Sequence, residues 1–188
     1  MKPMHILDYL CRHREFDQKL AQSRERLYRL AYSWCHQAAL ADDLVQDTCA
    51  KALKQRGKLR DEKVFDSWLF RILANTWYDH LRLKKDFVEF EDVYLEDGLT
   101  PEISNSRFET ITEVRAAVAL LPIGQRQVLS LIELEQFSYV EVAEVLEIPI
   151  GTVMSRLSRA RRQLKQVLLG AENEKATNVT PIRSLENV

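Results

Sequence analysis

Residues 137–168 read FSYVEVAEVLEIPIGTVMSRLSRARRQLKQVL, and this stretch predicts two consecutive helices joined by a tight turn. Ser138 is a good N-cap residue, and Glu141 three positions later completes a capping box, so a helix should begin here. Pro149 then ends this helix, because proline cannot continue a helix and also restricts the residue before it. A second helix starts at about Gly151. This order of elements is typical of a helix-turn-helix motif.

The second helix of the motif has an apolar face and a basic face. At about 100° per residue, one narrow stripe is apolar and should be buried. It consists of Val153, Leu157, Ala160, Leu164 and Leu168. The opposite side carries Ser155, Ser158, Arg159, Arg162 and Gln166, flanked by Met154, Arg156, Arg161 and Lys165. Such a helix fits the DNA major groove, where arginine binds guanine and serine contacts phosphates or bases. The alternative is a solvated basic helix on an ordinary bundle.

The composition indicates an all-α protein made of two small helical domains. The chain has 188 residues, enough for one large domain or two small ones. Its 5 glycines and 5 prolines are too few for a turn-rich β protein, and no stretch shows sustained alternation of apolar and polar residues. The net charge is only -1, so the local basic charge of the last helix is more informative than the sum.

Three cysteines indicate a reducing compartment. Cys11, Cys35 and Cys49 are odd in number and lack CxxC spacing, which argues against a disulfide framework. Neither these residues nor the nearby histidines repeat at zinc-site spacing, so we expect no metal and no cofactor. No apolar run reaches the length of about 20 residues that a membrane span needs. The sequence therefore favours a cytoplasmic protein without membrane insertion.

An acidic patch is expected on the helix predicted over Ala41 to Gln55. Asp43, Gln46 and Asp47 project from the side opposite its apolar face. Asp43 by itself is explained by the helix dipole, which favours acidic residues in a first turn, but Asp47 lies beyond that turn. The patch is either a solvated face or a docking surface for a basic partner.

The helix predicted over Phe65 to Lys85 carries a mixed stripe of cations, an amide and an aromatic ring. Its members of interest are Arg71, Asn75, Tyr78 and Arg82. Single-stranded DNA is bound by cations that follow the phosphates and by flat groups on which unpaired bases stack. The stripe is therefore either a single-strand-binding face or an ordinary surface.

An acidic linker divides the chain. Between Asp86 and Ser106 there are seven acidic residues and neither lysine nor arginine, and Gly98 and Pro101 interrupt any helix. We place the first domain at 1–85, the linker at 86–107 and the second domain, of four helices, at 108–169; residues 170–188 form a flexible tail. The linker is either a solubilising tether or a segment that lies along a basic channel.

With these stretches in place, the chain resembles the small extracytoplasmic-function (ECF) group of bacterial RNA polymerase sigma factors. The resemblance covers about Phe16 to Leu169. It is carried by ADDLVQDT (41–48), SWLFRILANTWYDHLR (67–82), LPIGQRQVL (121–129) and SYVEVAEVLEIPIGTVMSRLSRARRQL (138–164). Two positions depart from the family pattern: Met154 replaces a residue that is often basic, and Glu147 replaces a frequent glycine.

The resemblance assigns roles to particular residues. Contacts with the clamp helices of the polymerase largest subunit would come from Asp43, Gln46 and Asp47. The unpaired strand of the -10 promoter element would be bound by Asn75 with Arg71, Tyr78 and Arg82. The -35 element would be bound by Ser155, Arg156, Arg159 and Arg162, with Arg126, Tyr139 and Thr152 on phosphates.

The resemblance also implies a mechanism without a catalytic group of its own. The factor would direct core RNA polymerase to promoters and assist their opening, and an anti-sigma protein would usually hold it. The rival hypothesis is a conventional helix-turn-helix regulator, which would leave the stripe from Arg71 to Lys85 unexplained. An enzyme has no support, because the sequence contains no glycine-rich phosphate loop, no metal cluster and no nucleophile with an obvious base.

Overall fold

A computed structural model describes residues 6–59, 61–84 and 106–177, and the side chains of 13–59, 61–83 and 112–169. The described residues contain helices and turns and no strand, which confirms the all-α prediction. The helices are α1 (Ile6–Cys35), α2 (Ala38–Gln55), α3 (Phe65–Lys84), α4 (Ser106–Ala119), α5 (Ile123–Glu133), α6 (Tyr139–Leu146) and α7 (Ile150–Thr177). Two short 3-10 turns, Arg56–Lys58 and Glu62–Val64, lie between α2 and α3.

The first domain consists of α1, α2 and α3, which pack side by side. Leu30 of α1, Leu44 of α2 and Leu73 of α3 are buried in its centre. His36 ends α1, because it adopts the left-handed conformation (φ 54°) and its backbone N–H donates to the carbonyl of Tyr32. The chain reverses direction at this point, and α2 packs along α1.

The second domain consists of α4 to α7 and contains the predicted helix-turn-helix. Both halves of the capping box are present: Ser138 N–H donates to Glu141 Oε2 at 2.8 Å, and Glu141 N–H donates to Ser138 Oγ at 3.3 Å. Glu147 ends α6 in the left-handed conformation, with φ 55° and ψ 42°. The chain therefore keeps the turn geometry in which glycine is common, although it has a glutamate at this position.

The two domains pack directly on each other, and the sequence did not predict this contact. Helix α3 lies against α6, and α1 lies against α4 and α5. Phe70 of α3 and Phe137, just before α6, form an edge-to-face pair with ring centroids 5.4 Å apart. The buried apolar residues of the described chain consequently form one continuous core across both domains.

Several predicted boundaries shift. Helix α2 begins at Ala38, earlier than the predicted start at Ala41. Residues 85–105 are outside the described part of the chain, so the linker prediction is not addressed there, but α4 already begins at Ser106. Helix α7 continues to Thr177, past residue 169 where the second domain was expected to end. None of the described helices is long and apolar enough to cross a membrane.

Candidate polymerase and nucleic-acid interfaces

The acidic patch of α2 is an exposed surface. Asp43, Gln46 and Asp47 are all exposed, while Leu44 and Val45 are buried on the opposite side of the same helix. The buried side fixes the rotation of α2 about its axis, so the three polar side chains face outward together. They provide two carboxylates and one amide group on the same side of the helix.

The apolar stripe of α7 is buried in its first part. Val153, Leu157 and Ala160 are buried against the rest of the second domain, and Leu164 and Leu168 are half-buried. Ser158, Arg159 and Arg162 are exposed on the other side. Because this face carries two cations and a hydroxyl group on a rigid helix, it has the chemistry expected of a major-groove reader.

Other members of the predicted -35 set are less accessible than Arg159. Arg156 is half-buried and lies across α5, so close that a side chain at Gly124 would come within 2.9 Å of its guanidinium carbon. The Ser155 hydroxyl donates to the carbonyl of Thr152 at 3.1 Å. Thr152 is half-buried in the first turn of α7, and Tyr139 is exposed in the first turn of α6.

Arg126, predicted to bind a phosphate, is only 1% exposed and is not available to DNA in this structure. Its guanidinium donates to the carbonyls of Trp34 (2.7 Å), Leu121 (2.9 Å) and Ala119. Burial lowers the pKa of Arg126 to about 10. Arg126 is buried because α1 ends beside α5, where the carbonyl of Trp34 takes a hydrogen bond from its guanidinium.

A half-buried histidine, His36, lies at the same junction. Burial, and then the nearby charge of Arg126, lowers the pKa of His36 to about 4. The imidazole is therefore neutral at pH 7, and Arg126 carries the positive charge at the end of α1. A cation at a helix C-terminus interacts favourably with the helix dipole.

The predicted stripe on α3 is divided between exposed and covered residues. Asn75 and Arg82 are exposed. Arg71 instead donates from Nε (3.0 Å) and Nη2 (2.7 Å) to the carbonyl of Glu144, and its Nε lies 3.7 Å from Glu147 Oε1. The stripe is therefore not the continuous open surface that the sequence indicated.

Tyr78 is also turned toward the second domain. Its hydroxyl donates to Gln127 Oε1 at 2.9 Å, and burial raises its pKa. The partner is fully buried in α5. Tyr78 therefore packs between the domains, where its ring is not free to stack on an unpaired base.

Sequence reasoning missed one prominent charged group between the domains. The side chain of Glu135 is 1% exposed, and its Oε2 accepts a hydrogen bond from Arg26 Nε at 2.8 Å. Arg29 Nη2 lies 3.9 Å from Glu135 Oε1. Nothing in the local pattern around Glu135 marks a buried carboxylate, because both cations come from α1, about a hundred residues away in the chain.

Two family models match this chain. Residues 20–87 match the model described as Sigma-70 region 2, and residues 111–164 match Sigma-70, region 4. The first match covers the second half of α1 and all of α2 and α3. The second covers most of α4, all of α5 and α6 and the first half of α7.

Curated relatives and solved structures agree with these matches. The RNA polymerase sigma-H factor of Pseudomonas aeruginosa is 32% identical over 167 residues, which cover 82% of this chain and 86% of that protein. The ECF RNA polymerase sigma factor SigM of Mycobacterium tuberculosis is 33% identical over 155 residues, covering 81% of this chain and 76% of SigM.

Two similar solved structures are both complexes of two proteins. The sigma factor RpoE of Bartonella quintana, in complex with the anti-sigma factor NepR, has a TM-score of 0.64 and 30% identity, over 82% of this chain and 96% of that one. CnrH, in complex with the cytosolic domain of CnrY, has a TM-score of 0.63 and 26% identity, over 84% of this chain and 90% of that one. The chain therefore belongs to the ECF group of the sigma-70 family of RNA polymerase sigma factors.

Proposed function

We propose that this sigma factor binds core RNA polymerase, directs it to promoters and assists promoter opening. The observation that carries the proposal is the presence of two exposed and oppositely charged faces. One is the acidic patch of α2 and the other is the basic face of α7, and they belong to the two matched sigma regions. A conventional regulator is not a polymerase subunit, so its function does not require the acidic patch of α2.

The basic face of α7 is proposed to bind the -35 element as a duplex. Arg159 is best placed for direct base recognition, because it is exposed on the side opposite the buried stripe. Ser158 and Arg162 flank it, and an arginine that chelates guanine contributes about 1 to 3 kcal/mol of discrimination. Met154 is 54% exposed on the same helix, so the departure from the family pattern places an apolar group at the DNA-facing surface.

The acidic patch of α2 is proposed to bind the polymerase clamp helices. Its three polar side chains, Asp43, Gln46 and Asp47, are exposed on one side of the helix. Opposite charges on the two partners would accelerate association and set the orientation of the factor on the enzyme. The polymerase would then supply all of the chemistry.

Promoter opening is proposed to follow from preferential binding to single strands. Asn75 and Arg82 are exposed on α3, and Arg71 and Tyr78 would join them once the second domain no longer covers them. A ligand shifts an equilibrium only by its difference in affinity for the two states. A face that binds unstacked bases and not the duplex therefore favours the open promoter.

An anti-sigma factor is proposed as a further partner. The sigma factor RpoE is bound to the anti-sigma factor NepR, and CnrH is bound to the cytosolic domain of CnrY. The similarity covers more than four fifths of this chain in both cases. The chain has the same fold and should present a comparable surface to such an inhibitor.

Reconstituted transcription tests the function. Purified factor and core RNA polymerase, on fragments of the genomic DNA, should give run-off transcripts with defined starts, whereas core polymerase alone should give none. Asp47→Lys should abolish both transcripts and binding to core polymerase, because it reverses charge at the centre of the acidic patch. Circular dichroism checks that the variant stays helical. Specific duplex binding by the factor without any transcripts would instead support the regulator.

A further inference from the structure

The first two turns of α7 are poor in charge. Residues 150–157 include one charged side chain, that of Arg156, which is half-buried and lies across α5. The other arginines of this helix come later and are exposed: Arg159, Arg161 and Arg162. The N-terminal residues of a recognition helix are the ones that contact base edges in the major groove. The part of α7 that should meet the bases therefore presents mainly uncharged groups.

Two large apolar side chains are exposed on these two turns. Met154 is 54% exposed and Ile150 is 46% exposed, whereas Val153 and Leu157 are buried in the core. Side chains four positions apart on a helix are neighbours on its surface. Ile150 and Met154 therefore form one short apolar strip that faces solvent, and we call this pair the apolar strip of α7.

The backbone beside the apolar strip is open to another molecule. Gly151 is exposed, and a Cβ atom added to it would meet no heavy atom within 4 Å. Packing inside the protein therefore does not require glycine here, although alanine is the better helix former. A glycine in this place lets the backbone of α7 come close to a ligand.

The polar neighbour of the apolar strip already uses its hydrogen. The hydroxyl of Ser155 donates to the carbonyl of Thr152 at 3.1 Å. It can still accept a hydrogen bond, but it does not donate one to a base while this contact is present. Recognition of a base by this end of α7 consequently depends on the shape and apolar surface of Met154 and Ile150.

Thymine is the base that matches such a strip. Its C5-methyl group lies in the major groove, where the edges of the other three bases offer hydrogen-bonding groups. Contact between this methyl group and an apolar side chain removes apolar surface of both from water, which is favourable. Methionine is unbranched and polarizable, so it adapts to the shape of a small apolar partner.

We propose that Met154, with Ile150 beside it, recognises a thymine of the -35 element through the C5-methyl group. The -35 element of this factor should therefore contain an A·T pair where the basic residue of other family members would make a charged contact. This inference rests on the proposed function, because it takes α7 to bind the -35 duplex. Arg159 lies about 140° around the helix axis from Met154, so the two side chains should recognise different base pairs.

Uracil in place of thymine tests the contact, because it removes the methyl group and leaves the hydrogen-bonding groups unchanged. Selection from a random duplex pool with the factor and core polymerase identifies the preferred -35 duplex. Each thymine is then replaced by uracil in turn, and fluorescence anisotropy of the same complex measures the affinity. One replacement should weaken binding of the wild type about fourfold, the effect of one buried methyl group.

Met154→Ala should bind this thymine duplex and its uracil form equally well, because the side chain that contacts the methyl group is gone. Met154→Leu keeps an apolar side chain and should keep a preference for thymine. If no uracil weakens binding of the wild type, or if the same uracil weakens Met154→Ala just as much, the assignment of the methyl contact to Met154 is wrong.

Leu169→Ala is the matched control for the loss of an apolar side chain. Leu169 is 47% exposed on the same helix. It lies about 22 Å from Met154 along the helix axis, which exceeds the major-groove width of about 12 Å. Leu169→Ala should keep the fourfold preference for thymine over uracil. A preference lost equally in Leu169→Ala would mean that it depends on α7 in general, and would overturn the role of Met154.

Met154→Lys tests the position of residue 154 by a second measurement. A lysine facing the groove can bind a phosphate, so the slope of log affinity against log salt concentration should become steeper by about 0.9. The preference for thymine should disappear at the same time. Leu169→Lys adds the same charge away from the groove and should change the slope much less. Equal slopes for the two lysine variants would show that residue 154 does not face DNA.

Run-off transcription distinguishes this inference from the proposed function. Wild-type transcripts from promoters whose binding is insensitive to every uracil would overturn the methyl contact and leave the proposed function intact. Selective duplex binding with the uracil effect, but without transcripts, would contradict the proposed function and support the methyl contact. A factor that selects no duplex at all, alone or with core polymerase, would overturn both.

Discussion

The exposed side of α7 and the mixed stripe of α3 have similar compositions and different surroundings. Each face combines arginines with short polar groups on a helix whose other side is buried. Arg159 and Arg162 on α7 face solvent, whereas Arg71 and Tyr78 on α3 bind the second domain. A helix face with residues suited to binding DNA can therefore bind another part of the same chain instead. Which of the two it does depends on the helices that pack beside it.

The largest expected effect concerns Arg126, which was predicted to bind a phosphate of DNA and is buried in the structure. Arg126→Ala leaves three carbonyl acceptors without their donor and should lower the free energy of unfolding by about 2 to 4 kcal/mol. Urea denaturation followed by circular dichroism measures it. Arg162→Ala on the exposed side of α7 is the control and should change the stability by less than about 0.5 kcal/mol. Equal stabilities for the two variants would mean that Arg126 is not buried in solution.

Arg159→Ala tests the exposed side of the comparison. We expect a loss of about 1 to 3 kcal/mol in binding to the -35 duplex, together with relaxed preference at one base pair. Fluorescence anisotropy with a set of singly substituted duplexes, in complex with core polymerase, measures both. If Arg159→Ala weakens binding to every duplex by the same factor, the residue contacts a phosphate and does not read a base.

Tyr78→Phe tests one hydrogen bond between the α3 stripe and the second domain, the bond from the Tyr78 hydroxyl to Gln127. Loss of the bond to Gln127 should lower the free energy of unfolding by about 0.5 to 1.5 kcal/mol at neutral pH. Because the pKa of Tyr78 is raised in the folded state, its contribution is fully present below the unfolded pKa of about 10 and is lost as the pH rises through the folded value.

The difference in stability between wild type and Tyr78→Phe should therefore shrink above pH 10. Tyr139 is exposed and provides the matched control, since Tyr139→Phe should have little effect on stability at either pH. A difference that stays constant from pH 7 to pH 11 would place the Tyr78 hydroxyl in solvent.

The smallest expected effect is at the turn that joins α6 to α7. Glu147→Gly relieves a left-handed glutamate at the cost of its exposed contact with Arg71, and should raise the free energy of unfolding by about 0.5 to 1 kcal/mol. Thermal denaturation would show a higher midpoint. A lower midpoint would mean that the contact between Glu147 and Arg71 across the domains outweighs the backbone strain.

Local patterns predicted much of the fold. The capping box at Ser138, the turn at Pro149 and the apolar stripe through Val153, Leu157 and Ala160 all match the structure. These features depend on residues within three or four positions of one another, where hydrogen bonding and helical periodicity act directly. The exposure of Asp47 and Arg159 was predictable for the same reason, because each lies opposite a buried stripe on its own helix.

The candidate site was predicted less completely than the fold. Residue type indicated that Arg71 and Tyr78 can bind nucleic acid, and the family resemblance indicated the same for Arg126. Neither could identify the groups of this chain that bind these side chains in the folded protein. Their partners lie far away in the chain: 73 residues for Arg71, 49 for Tyr78 and 92 for the contact of Arg126 with Trp34. No periodicity links residues at such separations.

The sequence by itself determined the helices, their buried sides, the helix-turn-helix and membership of the sigma family, because each follows from short-range spacing or from ordered motifs. Only the tertiary structure decided which basic and aromatic residues remain open to solvent. Burial of a charge or hydroxyl depends on partners that distant segments supply, and the enclosure of Glu135 by Arg26 and Arg29 exists only when the two domains meet.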